Sequence, residues 1–261
     1  MLSLKQIEEN YPENLRIFKK NILREYLQYK ILEIIFASKF SGKLSFLGGT
    51  ALRIIYGNNR FSEDLDFDNF NLSEKEFTEL TNSVGAGLRK QGFEAEISQV
   101  FKGAYRCRVK LPKILFTNAL SPLEEEKIMI QIDTAPHNFS YQVDGKILNK
   151  FDVFTEIFST PADIILSQKI YAALNRKRAK GRDFYDIVFL LSFAKPNYQY
   201  LENKMGIKNS EELRSAIVQA AALIDFKELG RDVQPFLFNP SDAKKVERFA
   251  EFIAQAKLEK E

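Results

Sequence analysis

The residues best suited to chemistry are three aspartates, Asp64, Asp66 and Asp68, which alternate with apolar residues along the segment 64–68. Side chains of a strand point alternately to its two faces, so this pattern predicts a half-buried strand with the carboxylates on one face. Neighbouring carboxylates repel one another at neutral pH, and a hard divalent cation with oxygen ligands would offset that repulsion. We therefore expect Asp64 and Asp66 to bind a metal ion and Asp68 to be a solvated neighbour.

A glycine pair upstream of the acids predicts a phosphate site. Residues 44–47 are apolar and predict a short buried strand, and residues 51–56 predict a helix. Glycines between them would allow the backbone to approach a ligand closely. The free N–H groups and positive dipole at the start of a helix favour a phosphate. The residues expected to bind nucleotide phosphates are Gly48, Gly49 and Thr50.

Three further residues could complete such a site. Asp133 ends the apolar strand pattern 128–133, where an unpaired charge would be costly, so we expect it to be a third metal-binding carboxylate. The alternative is an Asp133 that points to solvent at the end of its strand. Arg53 and Arg60 flank the glycine turn and could each bind a triphosphate through two hydrogen bonds. Surface salt bridges would account for both arginines equally well.

A second group of charged residues occupies positions 169–186. Lys169 and Arg176 are seven residues apart and share one helix face, whereas Asp183 and Asp186 are three apart and share another. Between them lies a basic run without acids, composed of Arg176, Lys177, Arg178, Lys180 and Arg182. Such a run could bind an RNA backbone through counterion release, and a solvated helix end is the equally good alternative.

These motifs resemble a known family. The turn Gly48-Gly49-Thr50 followed by Asp64-x-Asp66 resembles the nucleotidyltransferase superfamily built on a DNA polymerase β-like core. The fuller string GGTALR…FSEDLDF resembles the AbiEii/AbiGii-type toxins, which are abortive-infection and toxin–antitoxin nucleotidyltransferases. The later segment 169–187 is similar to the same group, so that the resemblance covers roughly residues 40–195.

The resemblance implies an activity and partners. It implies Mg²⁺- or Mn²⁺-dependent transfer of a nucleoside monophosphate from an NTP to an acceptor, expected to be a tRNA 3′ end. It also implies a toxin with a cognate antitoxin, acting in phage defence. By the same resemblance Lys169 would contact the nucleotide phosphates, helped by Arg176. Asp186 or Asp183 would position Lys169 or a substrate group; Asp186 is favoured, since Asp183 could simply pair with Arg182.

Other functions stay open at this point. The same core could modify protein side chains with an NTP, in an AMPylating reaction, or transfer a phosphoryl group as a kinase does. A catalytically idle module that binds RNA or a protein partner is a third alternative. Intact acids at positions 64 and 66 and the lysine at 169 argue against the idle module.

The composition of the chain limits which classes of protein and which kinds of site remain. The chain has 261 residues, 45% of them hydrophobic and 28% charged, which is typical of a globular protein. The net charge of +3 does not by itself indicate nucleic-acid binding. One cysteine, Cys107, and one histidine, His137, exclude an internal disulfide framework and the common zinc and triad sites. Neither a secretory signal nor a membrane span is predicted, so we expect a cytoplasmic protein.

The periodicity predicts an α+β fold, with a mixed α/β part in residues 1–155 and a helical part in residues 156–261. The family resemblance implies that the first part is a nucleotidyltransferase-like mixed sheet with helices. Beyond the elements already named, helices are expected over residues 1–41, 73–90, 160–177, 182–193, 210–224 and 241–258. Strands are expected over 93–101, 104–111 and 127–135, and a small hairpin is expected to turn at Gly145. Thr160 should cap its helix, with Pro161 in the first position.

Overall fold

The computed structural model describes residues 1–259 and contains two compact units. Unit 1 comprises residues 1–51 and 61–159. Unit 2 comprises residues 52–60 together with the chain from residue 160 onward. The expected domain boundary near residue 155 stays a prediction, because a division into compact units does not show whether either part folds independently.

Unit 1 is built on a seven-stranded mixed sheet, as the sequence predicted. The strands are β1 (Leu44–Leu47), β2 (Leu65–Asn69), β3 (Glu96–Lys102), β4 (Ala104–Leu111), β5 (Ile128–Pro136), β6 (Asp144–Lys150) and β7 (Val153–Ser159). Their order across the sheet is β3-β4-β5-β2-β1-β7-β6. β1 runs parallel to β7 and β2 runs parallel to β5, while the other neighbours are antiparallel.

The helices that begin in unit 1 are α1 (Leu4–Glu8), α2 (Lys19–Phe36), α3 (Gly48–Tyr56), α4 (Glu74–Lys90) and α5 (Ile114–Thr117). The predicted helix over residues 1–41 is interrupted where a 3₁₀ turn follows Pro12. The start predicted for α4 is confirmed: Ser73 and Glu76 form a reciprocal capping box, which satisfies the first free N–H groups of the helix. Just beyond its end, Gly92 takes a φ of +90°.

One face of the sheet is a core face and the other is open at β4 and β5. On β4, Cys107 and Val109 are fully buried, whereas Arg106 and Arg108 are exposed. On β5 the alternate isoleucines are buried, whereas Met129 is 45% exposed. The open face of β4 and β5 therefore carries the charged side chains of both strands.

The hairpin between β6 and β7 does not turn at Gly145. That glycine lies inside β6, opposite Phe158 of β7. The turn follows Lys150, with Phe151 at a φ of +60°. The Phe151 ring packs edge-on against Tyr29 at a centroid distance of 5.2 Å, so the turn is held by this aromatic contact. The predicted position was wrong because a tertiary contact, not a glycine, determines it.

Unit 2 is helical, as expected for the second half of the chain. After the end of α3, its helices are α6 (Ala162–Asn175), α7 (Gly181–Leu191), α8 (Tyr198–Met205), α9 (Ser210–Ala221), α10 (Phe226–Val233), α11 (Lys244–Glu247) and α12 (Phe249–Gln255). The N-cap of α6 is Pro161 rather than Thr160. Helices α8 and α10 were not predicted.

The segment 52–60 belongs to unit 2 through specific contacts. Arg60 forms an antiparallel bridge with Leu237, and the amide of Phe238 donates a hydrogen bond of 3.1 Å to the carbonyl of Asn59. The guanidinium of Arg53 lies 4.6 Å from the centre of the Phe238 ring. These contacts bring a segment from the first quarter of the chain into the helical unit.

Candidate active site

Three aspartates lie together in unit 1. The parallel pairing of β2 and β5 places Asp66 directly opposite Asp133, and Asp64 immediately precedes β2. All three side chains are partly exposed. We call Asp64, Asp66 and Asp133 the acidic cluster. The sequence predicted these residues from two separate strands, and the register of the sheet makes the second and third of them neighbours.

Arg106 on β4 neutralises one member of the acidic cluster. Its Nε donates to Oδ1 of Asp133 at 2.9 Å, and a terminal nitrogen donates to Oδ2 at 3.3 Å. Gln131 also donates to Oδ2 of Asp133, at 2.9 Å. The hydrogen bond and charge of Asp133, with smaller contributions from Asp64 and Asp66, raise the pKa of Arg106. Sequence reasoning missed this arginine, which faces Asp133 across the β4–β5 pair.

A preformed cage of three metal ligands is not found in the described part of the chain, residues 1–259. Asp133 is bound to Arg106 in this structure, and its role as a third metal ligand beside Asp64 and Asp66 stays a prediction. Two carboxylates still suit Mg²⁺, because this ion is usually held by one or two carboxylates plus the phosphates of a substrate. The donor set fits a hard cation that is shared with a bound nucleotide.

The glycine turn and the acidic cluster are packed against each other. Gly48 has a φ of +80°, and a Cβ atom at this position would overlap Oδ2 of Asp66. Helix α3 already begins at Gly48, so Gly49 and Thr50 lie in its first turn. The hydroxyl of the buried Thr50 donates to the carbonyl oxygen of Asp64. Gly48 and Thr50 thus hold the two acids in place.

Asp68 is not a solvated neighbour of the acidic cluster. It is buried and accepts a hydrogen bond of 2.5 Å from the hydroxyl of Tyr141. Nδ1 of His137 lies 2.9 Å from its other oxygen. The ring of Phe70 packs edge-on against the rings of both partners. The prediction was wrong because the segment after β5 covers this end of β2.

A second set of charged residues forms a buried network in unit 2. Nζ of Lys169 on α6 lies 3.0 Å from Asp183 and 2.9 Å from Asp186, both on α7. Arg60 binds Asp186 through two nitrogens, at 2.7 and 2.6 Å. Asn58 donates to the same carboxylate at 2.9 Å. We call Arg60, Lys169, Asp183 and Asp186 the ion-pair network.

Burial and charge act in opposite directions in this network. The Asp186 side chain is 0% exposed, and burial alone would raise the pKa of its carboxyl group. The guanidinium of Arg60 and the ammonium of Lys169 outweigh burial and lower the pKa of Asp186 to about 2. Burial lowers the pKa of Lys169, but the charges of Asp186 and Asp183 raise it above its usual value overall. Asp186 and Lys169 are therefore both charged at neutral pH.

Several expectations for these residues need correction. Arg60 is neither a surface residue nor placed for a triphosphate, because it is 1% exposed and bound to Asp186. Asp183 pairs with Lys169 and with Arg176, the latter at 3.3 Å. The guanidinium of Arg182 lies 4.4 Å from the centre of the Phe236 ring. The structure brings Lys169 together with both candidate aspartates.

The comparison with known families decides the identity. Residues 30–255 match the sequence profile of the family described as nucleotidyl transferase AbiEii toxin, type IV TA system. The chain belongs to the AbiEii family. It is therefore a nucleotidyltransferase, and membership implies an NTP substrate and an antitoxin partner. No curated protein matches the chain at a significant level.

Two solved structures share the fold of this AbiEii-family chain. One is JHP933 from Helicobacter pylori, with a TM-score of 0.54 and 18% identity, covering 90% of this chain and 91% of that one. The other is an H. pylori protein inferred to be a nucleotidyltransferase, with a TM-score of 0.55 and 18% identity, covering 90% and 94%. The α+β architecture predicted from the sequence is confirmed.

The basic run of the AbiEii-family chain is a loop, not a helix end. Helix α6 ends at Asn175 and α7 begins at Gly181, so residues 176–180 connect them. Lys177, Arg178 and Lys180 are exposed, whereas Arg176 is partly engaged by Asp183. Within residues 1–259, every helix is too short or too polar to cross a bilayer.

Proposed function

We propose that this AbiEii-family enzyme transfers a nucleoside monophosphate from an NTP to the 3′ end of a tRNA, and that it is the toxin of a toxin–antitoxin pair in phage defence. The observation that carries the proposal is the acidic cluster. Asp66 and Asp133 are register partners on β2 and β5, and Asp66 packs against Gly48 at the start of α3. This combines carboxylates for a cation with a helix start for phosphates.

Asp64 and Asp66 would hold Mg²⁺ or Mn²⁺, with Asp133 as the third carboxylate beside them. The ion would neutralise the triphosphate and lower the pKa of the attacking hydroxyl group. The acceptor hydroxyl oxygen forms a bond to the α-phosphorus, and the bond from that phosphorus to the β-phosphate oxygen breaks. Pyrophosphate leaves, and the hydroxyl proton passes to solvent. Arg106 pairs with Asp133 and offsets part of the negative charge of the acidic cluster.

The remaining candidate residues would bind the nucleotide and the acceptor. The backbone of Gly48, Gly49 and Thr50 would receive phosphates, with Arg53 nearby in the sequence. Lys169 and Arg176 would contact phosphates, and Asp183 and Asp186 would position Lys169. Support for this role is that the Lys169 side chain is 15% exposed while Asp186 holds it from the buried side. The exposed basic loop 176–180 would contact RNA phosphates.

Labelled nucleotides test the reaction. The protein is incubated with total RNA and, in turn, with each NTP labelled at the α- or the γ-phosphate, and the products are separated on a gel. Label from the α-phosphate, but not from the γ-phosphate, should appear in RNA of tRNA size. Label on protein would indicate an AMPylating-type enzyme, and γ-label on RNA would indicate a kinase. No transfer with any NTP would favour the idle binding module.

A further inference from the structure

The open face of the sheet carries a line of cations that begins at the acidic cluster. Arg106, Arg108 and Lys110 occupy alternate positions of β4 and therefore share one face. The intervening Cys107 and Val109 are fully buried in the core. We call Arg106, Arg108 and Lys110 the β4 strip.

Two members of the β4 strip have no protein partner for their charge. Arg106 is bound to Asp133, but neither Arg108 nor Lys110 forms an ion pair within residues 1–259. Lys110 faces Glu96 across the β3–β4 pair, yet Glu96 is bound by Lys127 at 3.0 Å. The opposite neighbours on β5 are Gln131 and Met129, which are uncharged. The unneutralised charges of the exposed Arg108 and the partly exposed Lys110 favour an anionic ligand on this face of the sheet.

The length of the β4 strip indicates which kind of anion would bind to it. Alternate residues of a strand are spaced by about 6.8 Å, so the three cations extend over about 14 Å. This line is longer than the phosphate chain of one NTP, but it suits several successive phosphates of a nucleic-acid strand. Arginine binds phosphate through paired hydrogen bonds, and lysine binds it as a point charge.

We propose that the β4 strip binds the phosphate backbone of the acceptor RNA and leads its 3′ end to the acidic cluster. The proposal rests on the proposed function, because it takes RNA as the acceptor. The connection between strip and chemistry is Arg106, whose guanidinium binds Asp133, the register partner of Asp66. An RNA strand bound along Lys110 and Arg108 would therefore end beside the acids.

The test is RNA binding without NTP, measured for 5′-labelled total tRNA over a series of salt concentrations. In the variant Arg108→Gln/Lys110→Gln, the slope of log K against log salt should shrink by about 0.7 to 1.4, since each lost phosphate contact removes about 0.7. The charge-conserving variant Arg108→Lys/Lys110→Arg should keep the wild-type slope. Both positions lie on an exposed face, and circular dichroism verifies that each variant is folded.

A matched control removes two positive charges elsewhere in unit 1. Lys90 at the end of α4 is exposed, and Lys146 on β6 is partly exposed. The variant Lys90→Gln/Lys146→Gln should keep the wild-type slope; an equal loss in this control would show a net-charge effect and overturn the proposal. An unchanged slope in Arg108→Gln/Lys110→Gln would also overturn it. Weaker NTP binding with unchanged RNA binding would assign the strip to the triphosphate instead.

Failure of the proposed function would look different. If wild-type protein transfers no label to RNA but still binds tRNA with a slope that depends on the β4 strip, the strip is a nucleic-acid site of a protein with another activity. If label is transferred to RNA equally well by wild type and by Arg108→Gln/Lys110→Gln at low salt and sub-saturating RNA, the reaction stands and the strip proposal falls.

Discussion

Asp64 and Asp66 are the residues on which the proposed chemistry depends. Replacing either by Asn keeps the side-chain shape but removes a ligand charge, so transfer of α-label should be abolished while the fold is kept. Removing one of the mutually repelling charges should leave the metal-free melting temperature unchanged or higher. The exposed Glu124 supplies the control Glu124→Gln, which should retain wild-type transfer. Near-normal turnover in both aspartate variants would contradict the metal-site proposal.

The ion pairs of Asp186 lead to a second prediction, which concerns the stability of the protein. Its folded-state pKa of about 2 lies below the unfolded value of about 3.9, so its ion pairs stabilise the protein above about pH 4. That stabilisation is lost as the pH falls from about 4 to about 2. Asp186→Asn removes the buried carboxylate that both Arg60 and Lys169 contact and should cost about 3–5 kcal/mol in the free energy of unfolding at pH 7.

The measurement for Asp186 is urea unfolding between pH 2 and pH 7. Between pH 4 and pH 2 the stability of wild type should fall more steeply than that of Asp186→Asn, because the variant has no carboxylate at position 186 to protonate. The exposed Glu202 of unit 2 supplies the control Glu202→Gln, which should cost less than about 1 kcal/mol. Equal stability of wild type and Asp186→Asn at pH 7 would show that the ion-pair network is not stabilising.

At the scale of elements, the start of α3 links helix geometry to the acidic cluster. Gly48→Ala introduces a left-handed alanine, which costs about 1–2 kcal/mol, and also an overlap with Asp66. Gly57 has a similar φ of +73° but nothing near a Cβ atom, so Gly57→Ala measures the backbone cost alone. Gly42→Ala, with open space and no positive φ, should be close to neutral.

Denaturation and α-label transfer are measured for these three glycine variants. Gly48→Ala should be less stable than Gly57→Ala and should lose most of its activity, because Asp66 must move to admit the methyl group. If Gly48→Ala and Gly57→Ala were equal in both measurements, the contact between Gly48 and Asp66 would contribute neither to stability nor to activity.

Local patterns predicted the elements that local forces determine. The capping box of α4, the β3–β4 hairpin and the strand β5 were found because their signals lie within the segments themselves. Helices α8 and α10 were missed although Asn197 and Asp225 cap them, since each has only eight residues and a short apolar pattern. The pairings of Arg60 with Asp186 and of Arg106 with Asp133 depend on packing between distant segments, which periodicity does not encode.

At the scale of the whole molecule, unit 2 depends on a segment from early in the chain. Residues 52–60 supply Arg60 and Asn58, both bound to Asp186. A fragment of residues 160–261 would contain Asp186 without these partners and should show no cooperative thermal transition. A fragment with residues 52–60 joined to residues 160–261 by a Gly/Ser linker should recover one. Identical melting curves for the two fragments would contradict this dependence.

The alternation of buried and exposed residues along β4 has one more consequence, which concerns experiments on the motion of the sheet. Cys107 is fully buried on the core face, and burial raises the pKa of its thiol to about 12. The thiol is therefore protonated and shielded from alkylating reagents in the native state. It is also the only cysteine of the chain. The rate at which a maleimide consumes it reports how often the sheet opens, and a cysteine added on the surface would be labelled selectively without removing the native one.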